Sequence, residues 1–359
     1  MRRPADTRFN QQGLKSWMVQ VDYAREMYLL LLIGVVLISL SSNLLAESNA
    51  AKSWIIDYDG GDATGDCSIT EPGAGSSCQV AFSIDEDAEG PLFLYYQIDN
   101  FMQNNRRYVK SVSANQLKGQ LIKDSYTAGL DCYPLISNGT KLLHPCGLQA
   151  NSFFNDIISV NSAPNAASLD KSEIAYDYEL ESKYKQVDGF LTGIRGTNAT
   201  CLETLPTVPS EADCGLYTDV NGVDHYYYYP NADTTQYLYE SYPDIVNPIE
   251  GVTNVDFIVW MRLASLPNFR KYYGKIDTNV VSGDIISINI TANYDVSSFN
   301  GVKSLYLTTG SENEFIYNQS IGNVMGIMGT LCLVAGSLLL GKKHFYPRSL
   351  KALRKGVTA

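Results

Sequence analysis

Two uncharged apolar runs, one near each end, stand apart from everything between them. Residues 28–45 carry no charge over 18 positions, with LLLLIGVVLISL at the centre. At 1.5 Å per residue this gives about 27 Å of helix, close to the hydrocarbon thickness of a bilayer. Residues 321–341 form a second uncharged run of 21 residues. A cleaved signal peptide is the competing reading of the first run. The polar stretch before it is long and the run exceeds the usual 7–15 residues, which favours a signal-anchor. Between the runs the pattern changes to period two. Ile286, Ile288, Ile290, Ala292 and Tyr294 alternate with Ser287, Asn289, Thr291 and Asn293, the mark of a strand with one buried and one wet face. Residues 92–98 and 257–263 are apolar at successive positions and read as central strands buried on both faces. Asp59-Gly60-Gly61 and Gly73-Ala74-Gly75 punctuate loops, and the polar, aperiodic residues 161–167 read as an insertion. The expected fold is a mainly β lumenal domain, an antiparallel sandwich with long disulfide-tied loops, plus two transmembrane helices.

Charge sets the orientation. Residues 1–26 hold five bases against three acids, and the tail from Lys342 holds six bases and no acid. The remainder has 16 bases against 35 acids, a net of −19. Bases flank the first run on its N-terminal side and the second on its C-terminal side, so both termini are expected in the cytosol. The expected plan is a cytosolic segment 1–27, a span 28–46, a lumenal or extracellular domain 47–320, a span 321–341 and a basic cytosolic tail 342–359. The acidic bulk excludes nucleic acid as a partner, since it would repel phosphate. In the N-terminal segment, Phe9, Leu14, Trp17, Met18 and Val21 recur at roughly helical intervals. They suit either an amphipathic interfacial helix with Trp17 at the membrane or a flexible tail.

Six of the seven cysteines (Cys67, Cys78, Cys132, Cys146, Cys201 and Cys214) fall in the proposed lumenal domain, and Cys332 lies in the second span. An even count in an oxidising compartment reads as disulfides. The simplest of the 15 pairings joins neighbours, each closing a loop worth roughly 3 kcal/mol in the chain-entropy model. Sequons at Asn138, Asn198, Asn289 and Asn318 all lie on the same proposed side. The second span carries Gly322, Gly326, Gly329 and Gly336, a spacing that lets a helix approach closely, whether the first span or a partner's. Catalytic chemistry is missing from the sequence. There are three histidines, and no H-E-x-x-H, G-x-S-x-G, Walker loop, C-x-x-C pair or Asp-Lys-Thr-Gly phosphorylation signature. No enzyme activity, metal or cofactor is expected.

Several segments carry a resemblance. Asn104–Ser111 reads N-N-R-R-Y-V-K-S, and Pro145–Asp156 contains P-C-G-L-x-A-N-S-x-F-N-D. Residues 257–276 read FIVWMRLASLPNFRKYYGKI. Asn293-Tyr294, Ser298-Phe299, Gly301 and Lys303-Ser304-Leu305 follow, with Gln11-Gln12, Leu14 and Trp17 ahead of the first span. Together, and in this order, they resemble the accessory β-subunit family of type IV P-type ATPases, the lipid flippases (cell division control protein fifty/ligand-effect modulator family). Two places depart from its pattern: Met18-Val19-Gln20 stands where a Pro usually follows the Trp, and residues 311–319 replace a Gly-Gly-Lys-Asn-like stretch. The resemblance implies a non-catalytic subunit bound one-to-one to an ATPase α-subunit, contacting phospholipid through the complex. It also implies a role in stability, endoplasmic-reticulum exit and the transport cycle. The implied locations are the endoplasmic reticulum, Golgi, endosomal or plasma membrane. Candidate partner contacts are Trp17, Arg106, Arg107, Arg270, Lys271, Gly322 and Gly326. Arg106 and Arg107 suit local carboxylates and backbone first, and acidic partner loops second. The rival reading is a two-span cell-surface receptor or lectin-like protein, in which the Tyr226–Tyr229 run would stack on a ligand.

Overall fold

The alternating run becomes β13 (Ile285–Ala292), with Ile286, Ile288, Ile290 and Ala292 buried and Asn289 exposed. The computed structural model describes residues 7, 23–61, 67–69, 75–197, 199–310 and 312–345. They fall into two compact units, Lys52–Ser311 and the terminal segments Met1–Ala51 and Glu312–Ala359.

In the first unit, β13 lies between β2 (Ser76–Ser83) and β6 (Ile157–Ser162), antiparallel to both. The larger sheet is also antiparallel. It runs β1 (Ser53–Asp59), β14 (Lys303–Thr308), β3 (Leu92–Ile98), β12 (Phe269–Ile276) and β7 (Leu169–Asp170). Leu92, Leu94, Ile98, Ile276, Leu305 and Leu307 of this sheet share one core with Val80, Phe82, Ile158 and the isoleucines of β13. Two sheets closing on one apolar layer make the expected sandwich. Residues 92–98 are the central strand that the apolar run predicts, buried on both faces.

Two small sheets decorate the sandwich. One runs β8 (Leu191–Ile194), β10 (Asp224–Tyr228) and β9 (Gly215–Thr218). The other runs β11 (Thr235–Tyr237), β5 (Lys141–His144) and β4 (Ser137–Asn138), with β11 and β5 parallel. The tyrosine run enters β10 and packs inward. Tyr229 lies 4.4 Å from Tyr237 and 4.7 Å from Phe190, ring centre to ring centre, and its hydroxyl donates to the Pro248 carbonyl at 2.9 Å. Disulfides join Cys67 to Cys78, Cys132 to Cys146 and Cys201 to Cys214.

Among the described residues the helices are α1 (Tyr23–Ala50), α2 (Arg106–Lys110), α3 (Ala114–Leu117), α4 (Ser125–Cys132), α5 (Asp177–Ser182), α6 (Cys201–Thr204), α7 (Leu238–Ser241), α8 (Val255–Met261) and α9 (Glu312–Phe345). α8 corrects the strand expected over 257–263. Phe257, Ile258, Val259, Trp260 and Met261 are all buried, so no polar stripe shows in the sequence, and a short apolar run does not separate a strand from a buried helix. The deciding signal is Asn254, whose side chain accepts from the Phe257 amide at 3.0 Å as an N-cap, with Asp256 in the first turn. Residues 161–167 finish β6 and turn through a short 3-10 segment, Pro164–Ala166. α9 begins at Glu312, so residues 312–320, assigned from hydropathy to the lumenal domain, belong to the two-helix unit.

Candidate functional site

The signature segments converge on each other. α2 starts at Asn105, whose side chain accepts from the Arg107 amide at 2.9 Å. This turn buries Tyr108, and the Tyr108 hydroxyl meets Ser152 Oγ at 2.9 Å. Burial pushes that hydroxyl up to about 12, so it stays neutral. Gln149 Nε2 donates to the carbonyls of Tyr108 (3.2 Å) and Val109 (2.8 Å), and its own carbonyl accepts from Trp260 Nε1 at 2.9 Å. Ser111 Oγ donates to the Cys132 carbonyl (2.7 Å) and accepts from the Leu148 amide (2.9 Å). Gly147 has φ +102°, and a Cβ there would stand 2.3 Å from the Ser111 carbonyl oxygen, so only glycine fits. Three stretches far apart in sequence are thus tied by buried, satisfied polar groups. Such an arrangement specifies one structure and has no nucleophile or free base to offer.

The last residue of the second signature enters a charged cluster. Asp156 accepts from Lys303 Nζ (2.8 Å), from the Tyr58 hydroxyl (2.8 Å) and from the amides of Asn293 and Tyr294 (both 2.6 Å). Lys303 also faces Asp59 at 3.0 Å and donates to the Tyr294 carbonyl at 2.7 Å. Lys303 and Tyr58 are 0% exposed. Burial raises the Tyr58 hydroxyl well above its usual value, and the Asp156 charge beside it adds to the rise. Sequence reasoning named Lys303 as a signature residue without a role, read Asp59 only as part of a loop, and passed over Tyr58. The available signal was a lysine opening the otherwise buried strand β14, which demands counter-charges nearby.

The four nominated cations of this unit divide into two pairs. Arg270 and Lys271, candidate partner contacts, both lie in β12. Arg270 Nε donates to Gln97 Oε1 at 2.7 Å, and its guanidinium lies 3.6 Å from the centre of the Tyr306 ring. Lys271 is 6% exposed and donates to the Arg262 carbonyl. Arg262 is itself paired with Glu179 at 2.6 Å. Arg106 and Arg107 are exposed on α2, and among the described residues neither side chain has an ion pair or hydrogen bond. Asn138 (β4) and Asn289 (β13) are exposed, Asn198 and Trp17 lie outside the described residues, and Asn318 falls within α9. Among the described residues no cluster of His, Cys, Asp or Glu could hold a metal ion.

In the other unit, α1 and α9 pack antiparallel through small residues. A Cβ at Gly329 would stand 3.1 Å from the Gly34 carbonyl oxygen and 2.8 Å from Ile38, and one at Gly336 would meet Leu31 at 2.8 Å. Gly326 faces Ser41, Gly322 faces Leu45, and Ser41 Oγ donates to the Gly322 carbonyl at 2.7 Å. Gly322 and Gly326, nominated for partner contact, are therefore covered by the chain's own first helix. Arg25–Ala46 and Gln319–Phe345 are long and apolar enough to cross a membrane. Outward-facing Leu32 and Leu338 are 63% and 69% exposed, a surface suited to lipid rather than water.

A family profile described as LEM3 (ligand-effect modulator 3) family / CDC50 family matches residues 44–349. The chain belongs to the LEM3/CDC50 family. It is 31% identical to cell cycle control protein 50A of Bos taurus over 368 aligned positions, covering 97% of this chain and 91% of that protein. It is 28% identical to phospholipid-transporting ATPase accessory subunit CRF1 of Saccharomyces cerevisiae, covering 97% and 87%. It is also 28% identical to ALA-interacting subunit 3 of Arabidopsis thaliana, covering 88% and 80%. The span matched in this LEM3/CDC50 protein includes the signature knot, the Lys303 cluster and all of α9.

Proposed function

We infer that this chain is the non-catalytic accessory subunit of a phospholipid-transporting P-type ATPase of type IV, bound one-to-one to its α-subunit. The observation that carries the reading is the alignment, over 97% of the chain, with a relative named as such a subunit. The architecture supports it: two apolar helices frame a disulfide-tied domain whose signature residues build the fold rather than a reaction centre. α1 and α9 span the membrane with both termini in the cytosol, and the domain 52–311 stands on the lumenal or extracellular side. Asn138 and Asn289 there are exposed acceptors for glycans. The α-subunit hydrolyses ATP and moves lipid. This chain stabilises it, accompanies it out of the endoplasmic reticulum, and binds some states of the pump better than others, which shifts their populations.

Co-purification of the full chain with each type IV P-type ATPase of the same organism, with and without the chain expressed, tests the reading. A stable one-to-one complex is expected, with the ATPase held in the endoplasmic reticulum when this chain is missing. No complex with any of them, and unaided surface delivery of this chain, would refute it in favour of a receptor.

A further inference from the structure

The domain between the apolar runs is strongly acidic, yet residues 101–123 contain five bases and no acid. Arg106, Arg107, Lys110, Lys118 and Lys123 are all exposed. Among the described residues, none of the five has a side-chain ion pair. Most cations elsewhere in the domain behave otherwise: of the eleven outside this stretch, Lys52, Lys141, Lys171, Arg195, Arg262, Lys275 and Lys303 each face a carboxylate. In a domain with acids to spare, a surface that keeps its bases unpaired has left them for another molecule.

The unpaired charge sits beside apolar surface. α2 buries Tyr108 and turns Arg106, Arg107, Val109 and Lys110 outward. Its C-terminal end is fastened to that of α4, because the Val112 amide donates to the Asp131 carbonyl at 3.2 Å and Ser111 Oγ to the Cys132 carbonyl at 2.7 Å. At this junction α4 and the residue after it present Leu130 and Tyr133, 69% and 74% exposed. Asp131 is the carboxylate here, which leaves Arg106, Arg107 and Lys110 with a net charge of +2. The platform is stiff, since the Cys132–Cys146 disulfide and the signature knot hold both helix ends. Arginine and tyrosine at the centre, on a rigid support, is the composition of a protein interface.

We propose that Arg106, Arg107 and Lys110 of α2, with Val109, Leu130 and Tyr133, form the docking surface for an acidic, apolar-bearing exoplasmic loop of the ATPase α-subunit. The proposal rests on the reading above and deepens it by naming the surface and the partner's chemistry. Charge complementarity selects the partner. A basic loop is repelled, and an acidic loop approaches faster and is held in register. The signature then has two uses divided by residue: Tyr108 and Ser111 hold the turn, and Arg106 and Arg107 are what the turn displays.

The test uses the full-length chain co-expressed with its ATPase. The charge-reversed variant R106E/R107E/K110E and the conservative R106K/R107K are compared with the unaltered chain, together with protease resistance as a check on folding. Charge reversal is expected to lower ATPase recovery by about tenfold or more at physiological salt, while protease resistance and the R106K/R107K complex persist. Recovery of the ATPase at the unaltered level would overturn the surface and leave the subunit reading standing. No recovery by the unaltered chain would overturn both. Should charge reversal unfold the domain, a photoreactive residue in place of exposed Val109 decides the matter. An adduct with the ATPase supports the surface, and adducts only with lipid, or none, refute it.

Discussion

Lys303 and Arg107 are both cations of signature segments, and they sit in opposite surroundings. Lys303 is shut between Asp156 and Asp59, and it donates to Asp156 and to the Tyr294 carbonyl. Arg107 stands in solvent and, among the described residues, has no ion pair. Removing one member of a buried, hydrogen-bonded pair strands the other in a medium that solvates it poorly. Removing an exposed, unpaired cation takes away little that the fold uses. The contrast separates charges that hold the domain from charges held out to something else, a distinction invisible when both are read as signature residues.

The sharpest way to break the contrast is to remove Asp156. Asp156→Ala should lower stability by about 3–5 kcal/mol, read as lost protease resistance of the solubilised chain. Changing both partners at once, Asp156→Leu with Lys303→Met, should recover much of that. Failure to recover would mean that the amides of Asn293 and Tyr294 matter more than the ion pair. Cys132→Ser is the next test. It frees the platform beneath α2 and should cost about 2–5 kcal/mol, more than Cys201→Ser, whose bridge serves the small peripheral sheet. Equal maturation of the two variants would contradict the ranking.

His144 sharpens the comparison from a third direction, as a buried base without a counter-charge. Burial lowers it from 6.5 to about 4, and its Nε2 lies 3.4 Å from the Gln120 carbonyl. The unfolded imidazole takes a proton below about pH 6.5 and the folded one resists until about 4. Its contribution is therefore whole above 6.5 and is lost as pH falls, on the order of 3 kcal/mol by pH 4. Thermal unfolding across this range should show that slope, and His144→Gln should flatten it. Gly329→Leu tests the small-residue seam of the helix pair and should destabilise it by about 1–3 kcal/mol through overpacking, seen as helix separation in detergent. Arg106→Ala with Arg107→Ala comes last, with stability expected within about 0.5 kcal/mol of the unaltered chain. A larger loss would erase the distinction between Lys303 and Arg107.

Much of the fold was legible because it rests on period. β13, β3 and the two terminal helices follow from spacing and run length alone. α8 was not, because a helix buried on every side shows no stripe, and its only advertisement is the cap at Asn254. The signature residues were legible as a set, but their partners were not. Tyr58 and Asp59 meet Lys303 and Asp156, and Gln149 joins Tyr108 to Trp260, across large sequence separations that no local pattern encodes. The surroundings of Arg270 and Lys271, nominated as partner contacts, were hidden for a related reason: a cation in sequence looks available until a strand and its neighbours surround it.

The pairing of Ser53 with Thr308 also has a mechanical side. β1 leads into the larger sheet and β14 leads out of it, next to each other and antiparallel, so the two ends of the domain issue from the same edge of the sheet. Tension drawing residues 52 and 309 apart would load their hydrogen bonds one at a time, as in a zipper, rather than all at once as in shear. The Lys303–Asp59 contact lies at the far end of that zipper and would act as its stop. A domain anchored this way yields to modest force first at the β1–β14 edge of its larger sheet.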